Sequence, residues 1–335
     1  MSLVRAELER LAARRFVQLM LVLLVLAFGV TAVTTLVGSH RPSSIEVAEA
    51  QQAAAEERQA LEATYQRCVA AARGNLPPEE SESFPSDCSA FDPAQRERLP
   101  VAADHLQGVF NFANQARPLL YLLILFLVLF GFLVGASYIG ADLSTGGVVN
   151  LLIWRPRRLA VLGAKLGTLL GALTAVSVLA STAYGGAFWL IGQTAGMPGA
   201  TDGDFWPRLW LTWARGVVLV LFAATAGFAI ATLGRRTAAA LGAVMAYAVV
   251  WELGLRVVVE VVGIPRGEDW MLSTYLDAWL TGEARLSDAS MCGGVSGYCD
   301  GTYQLGWGLG LAVLLALTGG LTVAAFAAFR RRDLI

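Results

Sequence analysis

Lysine is almost missing from this sequence. Of its 25 basic side chains only Lys165 is a lysine, the rest being arginines. A P-loop needs a lysine within G-x-x-x-x-G-K-[ST] to reach the β/γ-phosphates of a nucleotide. Lys165 stands instead in Gly163-Ala164-Lys165-Leu166, so the chain lacks the common ATP-hydrolysing site. Histidine is as scarce, with His40 and His105 alone, neither of them in an apolar run. There is no H-E-x-x-H and no G-x-S-x-G, which excludes the usual metalloprotease and hydrolase centres. Charge is thin as well, at 15% of residues, against roughly 25% in soluble domains. The 25 basic and 26 acidic side chains nearly cancel, to a net −1. A nucleic-acid partner would require a basic face to release counterions, and a disordered chain would require few apolar residues. Neither fits a sequence that is 56% hydrophobic with a mean hydropathy of +0.57. The class that remains is a polytopic membrane protein.

Six apolar stretches are long enough to cross a hydrocarbon core of ~30 Å, which takes about 20 helical residues. They run over 16–37, 118–140, 159–191, 209–233, 237–262 and 305–329. Their Leu, Val, Ala and Gly content predicts an all-α fold of six transmembrane helices, with Gly167, Gly171, Gly185 and Gly186 positioned to permit close helix approach. The third stretch is longer than a bilayer needs, so it is tilted, kinked or prolonged beyond it. The Lys/Arg bias of the connections sets orientation. The segments 1–15, 141–158, 234–236 and 330–335 carry twelve basic and four acidic residues, while 38–116, 192–208 and 263–304 carry nine basic and twenty acidic. That alternation places both termini in the cytoplasm. The first span is too long for a signal-peptide core and no A-x-A site follows it, so it is expected to remain as an anchor.

The exported segment 38–117 is predicted to be mostly helical. Ser43 and Glu46 form a capping box, and Gly74 suits the stop of the helix that follows. Leu61, Tyr65, Cys68 and Val69 mark one apolar face of it. The surface opposite is either a solvated face or a lid over a translocation path. All four cysteines, Cys68, Cys88, Cys292 and Cys299, fall in segments assigned outside. The local pairing among three connectivities is Cys68–Cys88 with Cys292–Cys299, as an oxidising compartment allows. Zinc is the competing chemistry, but there is no C-x-x-C and no metal is expected.

On the cytoplasmic side, residues 1–15 read as an amphipathic helix at the inner interface, with Leu3, Val4, Leu8 and Leu11 on one face and Arg5, Arg10 and Arg14 off it. The connection 141–158 opens on a turn, Gly140 to Gly147, and continues as a short uncharged apolar run, Val148 to Trp154. Pro156 ends that run among Arg155, Arg157 and Arg158. An exposed apolar patch on a short loop marks a docking site, the alternative being a loop tucked against the inner leaflet.

These residues resemble the type-two ATP-binding-cassette exporter permeases, and actinobacterial members in particular. The likeness runs through Arg5-Ala6-Glu7-Leu8, Asp142, Gly146-Gly147, Val149–Trp154, Pro156-Arg157-Arg158, Lys165 and the tail Phe329-x-Arg331-Arg332-Asp333-Leu334. Asp142 replaces the family's usual Glu, and Gly147 its usual Thr. The resemblance implies a coupling helix at about 146–155, with Asp142, Gly146, Gly147, Val149, Leu151, Leu152, Trp154, Arg155 and Arg158 meeting a separate cytoplasmic ATPase. ATP and Mg would be held by that partner and no cofactor by this chain, which would not itself be an enzyme. It further implies a bacterial plasma (inner) membrane location, a second permease copy as a homodimer, contact with membrane lipids, and a small-molecule or lipid substrate moved outward between the copies. A sensor or resistance component with a ligand-binding exported cap is the alternative.

Four charges lie inside apolar stretches, where charge is expensive. Glu252, Arg256 and Glu260 are spaced i, i+4 and i+8 and are predicted to share one face and pair, with Arg215 in reach from the neighbouring span. They either line a polar path or form a salt-bridge network near the exported end, where span five of such permeases breaks into short helices. Phe126, Phe130 and Phe132 face lipid or a hydrophobic path, and Trp206, Trp210 and Trp213 fall at a predicted interface.

Overall fold

The computed structural model describes residues 3–81, 83–85, 87–96, 99–145, 158–288 and 301–331. Six helices are long and apolar enough to cross a membrane, consistent with an all-α polytopic protein. They are Arg15–Val37, Phe112–Ser144, Arg158–Thr194, Phe205–Gly234, Thr237–Val262 and Trp307–Arg331, called spans one to six below. Span two extends beyond the apolar run because Asn111 caps it, its side chain accepting the Asn114 N–H at 3.2 Å. Span three, at 37 residues, is about 55 Å long at 1.5 Å per residue, more than a bilayer core requires.

Spans two and four form the centre of the bundle. At Gly135 a Cβ would lie 2.4 Å from the Ala224 carbonyl oxygen, and at Gly227 it would lie 2.4 Å from that of Phe132. Backbones this close are what small residues allow between membrane helices. The glycines expected to serve that purpose do not: at Gly167, Gly171, Gly185 and Gly186 a Cβ would meet nothing within 4 Å. All four lie on span three, which meets its neighbours through Leu162, Leu169, Leu173, Tyr184 and Phe188 instead. Spans one and five sit at the periphery, with Val17 the buried residue of the first and Ala240 that of the second. Arg235, in the left-handed conformation at φ 56°, lets the chain reverse between spans four and five within two residues.

Span five differs from the others in its winding. Tyr247–Leu253 is π-helical, between the α-helical segments Thr237–Ala246 and Gly254–Val262. The span continues unbroken to Val262, and the short helix expected from its breakage comes afterwards, as Leu272–Thr281. That helix rests on span six, where a Cβ at Gly310 would lie 2.7 Å from the Tyr275 carbonyl. It leads into an antiparallel pair, β1 (Glu283–Ser287) and β2 (Thr302–Gly306), in the register Arg285↔Gln304. The segment 263–304 was expected only as a loop.

Between spans one and two, Ser44–Ala72 forms a 29-residue helix with its capping box complete. The backbone N–H of Ser43 bonded to Glu46 keeps that carboxyl below the ordinary carboxylate range. Its inward face is the one the spacing indicated, with Cys68 fully buried. Cys68 is bridged to Cys88, 20 residues on, and Arg58 donates to the Pro100 carbonyl at 2.6 Å, which holds the returning chain against the helix. Cys292 and Cys299 lie outside the described residues.

Candidate functional site: a buried ion cluster

Three segments bring opposite charges together at one end of the bundle. The amino-terminal helix Leu3–Ala12 supplies Glu7, and the turn after it supplies Arg14. Span two supplies Tyr138 and Asp142, four residues apart and so on one helical face. Span three supplies Lys165. Lys165 Nζ donates to Glu7 Oε2 and to Asp142 Oδ2, both at 2.8 Å. Tyr138 Oη donates to Glu7 Oε2. Arg14 pairs with Asp142 and donates to the Tyr138 carbonyl at 2.9 Å and the Ser137 carbonyl at 3.2 Å. Both cations lie over the Tyr138 ring, each 4.9 Å from its centroid.

Burial makes this arrangement consequential. The side chains of Lys165 and Glu7 are 3% and 2% exposed, and those of Arg14 and Asp142 about a fifth. An isolated charge at such depth costs several kcal/mol, so it persists only when paired and hydrogen-bonded. Two carboxylates here face two cations, with Arg10 adding a contact to Glu7 at 3.3 Å from the rim. Burial alone pushes the Glu7 carboxyl up. The hydrogen bonds from Lys165 and Tyr138, with the positive charges of Lys165 and Arg10, outweigh it and hold the group below its ordinary value. Glu7 is therefore a carboxylate at neutral pH.

This placement corrects the expected amphipathic face of the amino-terminal helix. Leu11 is buried as expected, but Leu8 is 40% exposed and Glu7 turns inward. The pull of a buried ammonium on Glu7 decides which face docks.

Of the residues assigned to the loop, Asp142 belongs to the cluster. Gly146, Gly147, Val149, Leu151, Leu152, Trp154 and Arg155 lie outside the described residues, and Arg158 is the first residue of span three. The cluster thus spans the loop: Asp142 precedes it, Lys165 follows it, and one ammonium joins the two. Glu7 and Tyr138 went unassigned in the sequence reading. The available signal was the lone lysine, placed within an apolar span of an otherwise arginine-only chain.

The intramembrane charges do not form the expected network. Among the described residues no ion pair within 4.0 Å joins Arg215, Glu252, Arg256 and Glu260. Arg215 lies over the rings of Trp279 and Trp307, at 5.8 and 5.9 Å, and its carbonyl accepts the Trp279 indole N–H at 3.0 Å. Glu252 accepts the Tyr247 hydroxyl at 2.9 Å and the Ser273 backbone N–H at 3.0 Å. A carboxylate there satisfies a free N–H at the start of Leu272–Thr281 and complements its dipole. Arg256 and Glu260 remain exposed on span five. Helical spacing identified which charges share an element; the aromatic rings and helix end that capture two of them come from the distant segment 272–307.

No protein-family model matches the chain, and no curated protein or solved structure does so either. Among the described residues no group of three or more His, Cys, Asp or Glu side chains could hold a metal ion.

Proposed function

We propose that the chain is the membrane-spanning permease subunit of an ATP-binding-cassette exporter, working as two copies driven by a separate cytoplasmic ATPase. The observation that carries this reading is the double contact of Lys165 with Glu7 and Asp142. These are three of the residues on which the family resemblance rests, and they tie the helix before span one to both sides of the segment 146–157. A docked ATPase can shift a two-state equilibrium only through contacts that differ between the states. Because the residues flanking that segment are joined to one another and to the amino-terminal helix, a displacement passed to them moves that helix and spans two and three together. Positive-inside bias puts the cluster, the segment 146–157 and both termini in the cytoplasm, and the bridged segment 38–117 outside. A second copy fits the long exposed faces of spans one and five. The substrate is a hydrophobic small molecule or lipid, as the apolar bundle admits, and catalysis with its ATP and Mg belongs to the partner.

Co-expression with a candidate lone ABC ATPase tests the reading. The expected result is a stable complex whose ATPase rate depends on the permease. Leu151→Arg and Trp154→Ala are expected to abolish association or stimulation. An ATPase that neither binds nor responds, with both variants without effect, would overturn the proposal.

A further inference from the structure

A cavity of about 580 Å³ lies between spans two, three and four, at the end of the bundle away from the amino-terminal helix. Phe112, Leu120, Tyr184, Phe188, Trp206 and Trp213 form much of its wall, and no charged side chain among the described residues lines it. Gly185 and Gly186 open it on the span-three side, since a Cβ at either would meet nothing within 4 Å. Its size falls in the ~300–1,000 Å³ range of sites that enclose a small ligand.

Access indicates the occupant. Trp189 and Trp210 line the cavity and are 47% and 58% exposed, and in a chain that crosses a bilayer such surface faces lipid. A ligand entering from that side is apolar, and a phosphate headgroup would find no cation in the wall.

We propose that this cavity takes the acyl chain of a membrane lipid while the headgroup stays outside. The assignment needs only that the chain spans a membrane and is independent of the exporter reading.

The test uses the full-length protein in vesicles of phosphatidylethanolamine and phosphatidylglycerol, doped with phosphatidylglycerol carrying a diazirine in its acyl chain. After illumination, labelled peptides are mapped by mass spectrometry. The expected label concentrates in 178–189 and 206–213, several-fold above span one, in which only Val17 is buried. Gly186→Phe, which fills the cavity, is expected to bring the label down to the span-one level. Thr182→Leu fills it from a second position should the first variant fail to fold. Label spread evenly over all lipid-facing spans, or unchanged in a folded filling variant, would overturn the assignment.

Discussion

Lys165 Nζ sits 2.8 Å from Glu7 Oε2, with both side chains 3% exposed or less and the two residues 158 apart in sequence. The amino-terminal helix is thus fastened to span three by an interior ion pair. Asp142, held by the same ammonium at 2.8 Å, extends the contact to span two. The pairing fixes which face of the amino-terminal helix meets the bundle, because only that face carries Glu7.

Lys165→Met leaves the buried Glu7 and the partly buried Asp142 without their shared cation. Breaking a buried pair by removing one partner typically costs about 3–5 kcal/mol. The expected outcome is a clear drop in unfolding temperature in detergent, followed by intrinsic fluorescence. Glu7→Gln combined with Lys165→Met removes one uncompensated charge and is expected to recover part of the loss. Equal losses in the single and double variants would show that the two residues are not coupled.

The docking of the amino-terminal helix should depend on pH in one direction. The folded-state value of Glu7 lies below its ordinary 4.5. Its contribution is therefore fully present above about pH 4.5 and is lost as pH falls through the lower folded value. Limited proteolysis near Arg10, scanned from neutral to acid pH, should show the helix loosening only at the acid end. Glu7→Gln is expected to flatten that dependence. Loosening that sets in with rising pH would contradict the sign.

Much of the bundle is legible in the sequence because an apolar run of bilayer length has few other uses. The limits of span two are less so: Asn111 starts the helix ahead of the apolar run, and Ser144 ends it beyond Gly140. Close packing was read onto the wrong glycines. Gly171 and Gly135 look alike in one dimension, and only the crossing of spans two and four distinguishes them. Asp142 and Lys165 were visible as motif residues, but their bond was not, since it needs two spans and a third element to meet. Arg215 was read as seeking a carboxylate; aromatic rings more than sixty residues further along the sequence hold it instead.

The two kinds of glycine give opposite expected outcomes for the same substitution. Gly135→Ala drives a Cβ to 2.4 Å from the Ala224 backbone oxygen, which cannot swing aside as a side chain would. Overpacking of this kind costs about 1–3 kcal/mol. Gly171→Ala meets nothing within 4 Å, and alanine within a helix gains roughly 0.5–1 kcal/mol over glycine. Thermal unfolding of the two variants side by side checks the contrast. Equal behaviour would mean that spans two and four do not approach as closely as described.

Arg256 and Glu260 bear on the proposed second copy. Both are exposed on span five, and among the described residues neither has an ion-pair partner within 4.0 Å. A charge facing lipid near a bilayer centre costs at least about 2.5–3.5 kcal/mol, less toward the interface. In a two-fold dimer each residue on one copy meets its counterpart contact on the other, so an Arg and a Glu one turn apart can pair reciprocally across the axis. Under that arrangement Arg256→Glu and Glu260→Arg alone each juxtapose like charges and should lower the dimer fraction seen by native mass spectrometry. The double exchange restores opposite charges in the same geometry and should restore the dimer. Single variants that weaken the dimer without rescue by the double exchange would place these charges against different partners. Single variants that leave it intact would move the interface away from span five.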